Sequence, residues 1–219
     1  MFGRRTLATS LALTLLLTAC EGTAAVRYQS PPPNAAPASW SFDADPTGGL
    51  PPGAELFSGS WVVRAEADAP SKPNALCQLG ESEFPAIALG TGVYGDLTVT
   101  MRFKPISGRV DQAAGIIARV QDKDNYYIVR ANVLETNVNL YKYAGARRSG
   151  IRDGSVKVAQ GQWQELRFEL SGDKLRGFLN GQLVVEATDA TYRAGRVGLW
   201  TKADSVTCFD DVVVTPETR

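Results

Sequence analysis

The chain has 219 residues, enough for one domain with a sizeable core or at most two. Its 23 basic and 23 acidic residues cancel, which excludes the basic excess of a nucleic-acid surface, so no nucleic-acid partner is expected. There is no His, so the commonest general base and transition-metal ligand is missing, and proton transfer would fall to Asp, Glu, Tyr, Lys or Cys.

Residues 1–19 read as an address. Arg4 and Arg5 precede an apolar run over 7–18 that is too short for a normal membrane span. It ends in Leu17-Thr18-Ala19-Cys20, which resembles the bacterial lipobox. That resemblance implies cleavage before Cys20 and lipidation of its thiol. Glu21, which is not Asp, then favours the outer membrane of a bacterial cell envelope. Residues 20–39 form a tether. Its Pro31-Pro32-Pro33 run is extended and builds no core. With Cys20 assigned to the lipid, Cys77 and Cys208 remain. In an oxidising compartment they are expected to pair, the alternative being two buried thiols. The bridge would close a loop of about 130 residues, contributing roughly 4–5 kcal/mol through chain entropy.

Residues 40–216 are expected to form a single all-β domain, because no helical period appears in them. Short strands are predicted at 40–42, 61–66, 74–78 and 87–89, with a Pro/Gly/Asp-rich loop over 43–53. Residues 97–103 alternate, with Leu97, Val99, Met101 and Phe103 inward. A strand at 114–120 leads into the hairpin 124–143, with a turn near 134–136. In that hairpin Tyr126, Ile128, Arg130 and Asn132 share one face, and Asn137, Asn139 and Tyr141 share a face opposite Val138 and Leu140. Strands at 163–170 and 174–179 follow, then Asn180-Gly181, a type I′ hairpin signal, and a return at 182–187 with Leu183 and Val185 inward. Strands at 196–202 and 206–214 close the domain. About a dozen short strands separated by turns predict a two-sheet antiparallel jelly-roll sandwich.

Three stretches carry a family resemblance: Ala114 to Lys142 (AGIIARVQDKDNYYIVRANVLETNVNLYK), Trp163 to Glu186 (WQELRFELSGDKLRGFLNGQLVVE) and Gly195 to Asp211 (GRVGLWTKADSVTCFDD). The chain resembles bacterial laminin-G-like, concanavalin A-like lectin/glucanase domains of the kind grouped with 3-keto-disaccharide hydrolases or labelled family 16 glycoside hydrolase-like. The resemblance implies a jelly roll with one concave sheet able to hold a glycan. The Glu-x-Asp-x-(x)-Glu strand of retaining glucanases is absent, since Arg167 stands between Glu165 and Glu169. Gln112-Ala113-Ala114-Gly115 replaces the Asn-Ser-Gly element of the keto-disaccharide hydrolases.

Flat aromatic rings and directional hydrogen-bonding groups suit a saccharide. Arg119, Arg130, Asn132, Asn137, Asn139, Tyr141, Trp200 and Lys202 are therefore candidates for ligand binding, with a glycan or cell-envelope polysaccharide as partner. Glu135 and Asp204 are the candidate acid and base of a glycoside-cleaving activity, and turn residues in the plainer reading. The resemblance also implies one structural calcium near Asp43, Asp45, Asp210 and Asp211, where hard oxygen ligands gather. The first expectation is a non-catalytic, lectin-like lipoprotein. An enzyme acting on 3-keto-disaccharides and an adhesion module with a protein partner are the alternatives.

Overall fold

The computed structural model describes residues 35–217. The expectations for the signal segment, for Cys20 and for most of the tether lie outside these residues. Fifteen strands are formed: β1 (Ala38–Trp40), β2 (Glu55–Ser58), β3 (Trp61–Ala65), β4 (Asn74–Gln78), β5 (Ala86–Tyr94), β6 (Leu97–Ser107), β7 (Ala113–Asp122), β8 (Asn125–Asn132), β9 (Asn137–Ala144), β10 (Arg147–Arg152), β11 (Gln164–Ser171), β12 (Lys174–Leu179), β13 (Gln182–Thr188), β14 (Gly195–Trp200) and β15 (Val206–Pro216). One sheet runs β13-β12-β11-β6-β15-β4-β3, with β1 paired to β15, and the other runs β10-β9-β8-β7-β14-β5-β2. All pairings are antiparallel. The fold is the two-sheet jelly-roll sandwich that the alternation predicts.

The core lies between the sheets. Leu97, Val99, Met101 and Phe103 of β6 and Leu166, Phe168 and Leu170 of β11 meet Tyr127, Val129 and Ala131 of β8, Val138 and Leu140 of β9, and Val197 and Leu199 of β14. Strict alternation puts these residues on the inner faces and leaves the other parity for the outer ones. Asn180 and Gly181 both have positive φ, as a type I′ turn requires. Leu183 departs from expectation. A bulge between it and Val185 pairs Leu183 with Phe178 on the outer face, where it is 47% exposed, whereas Val185 is buried. Phe42 also departs, because its positive φ turns the chain out of β1. Cys77 and Cys208 face each other across β4 and β15 and form a disulfide, 131 residues apart in sequence.

Candidate functional site

The outer face of the seven-stranded sheet carries a graded set of side chains. Register places Tyr126 opposite Tyr143, Ile128 opposite Tyr141, Arg130 opposite Asn139 and Asn132 opposite Asn137. One end of the β8–β9 hairpin is therefore aromatic and the other is rich in amides. Trp200, Gly115 and Arg130 form one cross-strand row, and Gly115 has no side chain to separate its two neighbours. A Cβ on Gly115 would stand 3.4 Å from the Trp200 ring and 3.0 Å from the Val129 carbonyl.

At the polar end a charged network is built on Arg130, which is only 1% exposed. Its Nη2 donates to Glu135 Oε2 at 2.6 Å and to Asn137 Oδ1 at 2.8 Å. Asn137 Nδ2 donates back to Glu135 at 3.1 Å. Lys202 lies 2.7 Å from Asp111 Oδ2 and 3.9 Å from Glu135 Oε1. Asn132 ties the two halves together, donating to Asp111 Oδ1 and accepting from the Glu135 backbone. Burial works to raise the Glu135 pKa, but hydrogen bonds from Arg130 and Asn137 and the nearby cations hold it below the usual carboxylate range. Glu135 is thus a poor general acid near neutral pH. A hollow of about 520 Å³ opens beside it, lined by Glu135, Thr136, Asn137, Asn139, Asp153, Gly154 and Ser155.

At the aromatic end, Arg148 of the edge strand β10 reaches back across β9, β8 and β7. Its guanidinium carbon lies 4.7 Å from the Tyr141 ring centre, 4.9 Å from Phe84 and 5.8 Å from Trp200. β10 and β14 are four strand spacings apart, roughly 19 Å on a flat sheet. Meeting Trp200 therefore takes the reach of both long side chains along the face. Phe84 stacks on Trp200 at 5.7 Å and meets Tyr143 edge-on at 5.7 Å. Tyr126 stacks on Tyr143, and burial raises the pKa of the Tyr126 hydroxyl well above its ordinary value. A second hollow, about 280 Å³, is lined by Phe57, Ser58, Ser82, Phe84, Tyr126 and Tyr143, with Glu83, Lys123 and Asp124 also on its wall.

The structure thus brings together Arg130, Asn132, Glu135, Asn137, Asn139, Tyr141 and Lys202. It places three other expected residues differently. Arg119 leaves the face because a bulge interrupts β7 there and its φ is positive. Its guanidinium turns to the end of the sandwich, donating to the carbonyls of Gly95, Gly172 and Tyr192 and pairing with Asp96. Trp200 is on the face but wholly buried under Phe84 and Arg148, so no ligand reaches its ring in this arrangement. Asp204 accepts from the backbone amides of Arg109, Val110 and Asp111. These bonds hold its carboxyl below the usual range and make it a turn clasp. Asp111 is the second acid in the network beside Glu135, and its sequence neighbourhood gave no sign of it. Arg148 and Phe84 were equally silent, one in a short edge strand and the other in a loop.

The proposed calcium ligands do not converge. Asp43 accepts from the Asn74 amide at 3.1 Å. Buried Asp210 accepts from the Ser71 amide and hydroxyl and the Asp211 amide, and burial raises its pKa, as expected of a carboxylate with neutral donors around it. Asp211 sits at a bulge with positive φ. Among the described residues, the one group of three His, Cys, Asp or Glu atoms within metal-binding range is Glu66 with Cys77 and Cys208, and the disulfide takes up both sulfurs. The donor set around Asp43, Asp210 and Asp211 therefore does not fit a calcium site.

No curated protein matches the chain. Solved structures share the fold. Carbohydrate binding module CBM66 from Bacillus subtilis is similar over 73% of this chain and 93% of its own, with TM-score 0.63 and 20% identity. The Bacillus licheniformis beta-glucanase is similar over 84% and 99%, with TM-score 0.56 and 12% identity. A protein of unknown function with a galectin-like fold from Bacillus subtilis is similar over 76% and 90%, with TM-score 0.55 and 12% identity. A sequence profile of the 3-keto-alpha-glucoside-1,2-lyase-like domain matches residues 27–215, nearly the whole sandwich and the chain just ahead of it, so the protein belongs to that family.

Proposed function

We propose that the protein binds carbohydrate on the outer face of its seven-stranded sheet, as a non-catalytic module held at the bacterial cell envelope through a lipid on Cys20, with the outer membrane as its place. The observation that carries the reading is the pair of open hollows on one face, one walled by Phe57, Phe84 and Tyr143 and the other by Asn137, Asn139 and Glu135. Rings for stacking and fixed amides for directional bonds are the two things a sugar needs. The likeness to a carbohydrate binding module supports the reading at the level of fold. The test is a panel of oligosaccharides titrated into the full-length protein and into an Asn137→Ala/Asn139→Ala variant. Binding by the first, weakened about tenfold or more in the second with the fold intact, is the expected result. Absence of binding across the panel rejects the reading.

A second reading is cleavage of a 3-keto-glycoside. It is favoured by Lys202 standing between the carboxylates of Asp111 and Glu135, which puts an anionic base and a proton donor side by side next to a hollow. New products from 3-keto-disaccharides, lost in Glu135→Gln, would establish it. Product formation retained in that variant would reject Glu135 as the base.

A further inference from the structure

We infer that the glycan read by this face carries a carboxylate, and that Arg148 is the residue that recognises it. This rests on the carbohydrate-binding reading and names the class of sugar, a uronic acid.

The charges on the face are paired, with few exceptions. Arg130 is taken up by Glu135 at 2.6 Å, Lys202 by Asp111 at 2.7 Å and Lys123 by Asp124 at 2.5 Å. Arg148 is the exception at the centre. No carboxylate among the described residues lies within ion-pair distance of it, and its buried Nη1 has no hydrogen-bond acceptor. Its guanidinium is nevertheless fixed, held against the rings of Tyr141, Phe84 and Trp200. A desolvated N–H without an acceptor is costly, and an anion meeting the guanidinium would offset that cost. A planar fork held in place meets a carboxylate through two parallel bonds with little further ordering.

The hollow beside it suits a single ring. Phe84 forms part of its wall and also carries Arg148 on its face. Tyr143, on the same wall, is the register partner of Arg148 across β9 and β10. The Ser58 and Ser82 hydroxyls, bonded to each other at 2.5 Å, stand ready for sugar hydroxyls. A pyranose stacked on Phe57, Phe84 and Tyr143 thus has one edge toward Arg148. Glu83 is the acid on this wall with no ion pair among the described residues; it is exposed at the rim, where water screens it. Arg147, exposed on the same strand, pairs with Ala144 and so has the opposite parity from Arg148.

The test uses the full-length protein and matched pairs of oligosaccharides: galacturonate, glucuronate and mannuronate oligomers, each against its carboxyl-reduced neutral partner, followed by calorimetry. At least one acidic member is expected to bind about tenfold or more tightly than its partner. Arg148→Gln should erase that difference, weakening the acidic member far more than its neutral partner. Arg148→Lys, which keeps the charge and loses the fork, should fall between, and Arg147→Gln should change nothing. Each variant's melting curve checks that the strand is still paired. Equal binding of every acidic and neutral pair overturns the inference and leaves the carbohydrate reading standing. Loss of acidic and neutral binding alike in Arg148→Gln also overturns it. No binding by any member, acidic or neutral, overturns both.

Discussion

Asp189 shows how one side chain sets the acid limit of the fold. Burial alone would raise its pKa, but the Lys142 ammonium, Thr191 and the Tyr127 hydroxyl bond to it and bring it down to about 2. The folded value lies below the unfolded one near 3.9, so the stabilisation is complete above roughly pH 5 and is lost as pH falls through about 2. After discounting for its partial exposure, Asp189→Asn should cost about 1–2 kcal/mol at pH 7. Melting temperatures of the two proteins should converge toward pH 2, and a constant gap would refute the assignment. Phe84→Ala should uncover Trp200, seen as stronger acrylamide quenching of Trp fluorescence, at a cost of about 1–2 kcal/mol. Alternation alone put Arg130, Asn132, Asn137, Asn139 and Tyr141 on one face. It could not show that a bulge removes Arg119 or that a loop residue covers Trp200, because both are set by partners distant in sequence.

At the scale of elements, β14 is the most constrained strand. It runs between β5 and β7, and its sequence GRVGLW places glycine where neighbouring backbones come closest. A Cβ on Gly198 would stand 2.1 Å from the Ile87 carbonyl, and one on Gly195 would stand 2.4 Å from the Arg119 backbone carbon. Gly198→Ala should therefore destabilise by about 3 kcal/mol or more, read as a fall in the urea midpoint; a change under about 0.5 kcal/mol would show that β5 simply moves aside. β6 and β11 were legible because each buries one parity, and β7, β8 and β14 because their apolar runs are buried on both faces. β2 and β10 were not, since edge strands lack the second neighbour that enforces the pattern. β10, RRSGIR, reads as a polar loop, yet its Gly150 faces Tyr141 and leaves that ring open to Arg148. The polar network shares this limit: Lys202 was visible in the sequence, but its partner Asp111 lies 91 positions away and is met only through β7 and β14 pairing.

For the whole molecule, the pairing of Cys77 with Cys208 was legible from count and compartment. Replacing both by Ala should lower stability by roughly 4–5 kcal/mol in the chain-entropy model, measured by urea unfolding. A loss below about 1 kcal/mol would mean that the unfolded chain is already compact between these positions. The same bond decides how the molecule bears a mechanical load. When the two ends are pulled apart, tension enters ahead of β1, strips its three-residue pairing with β15, and runs on to Cys77. There it crosses the sulfurs to Cys208 and leaves through the last strand. The 130 residues between the two cysteines lie off that line of force. They include β5 to β14, the whole of the polar hollow, and every side chain from Phe84 to Lys202 that shapes the outer face, whereas Phe57 and Ser58 of the aromatic hollow belong to the loaded flank. A stretched molecule would thus lengthen at its flanks and lose the β2 wall of the aromatic hollow, while the polar half of the face kept its shape.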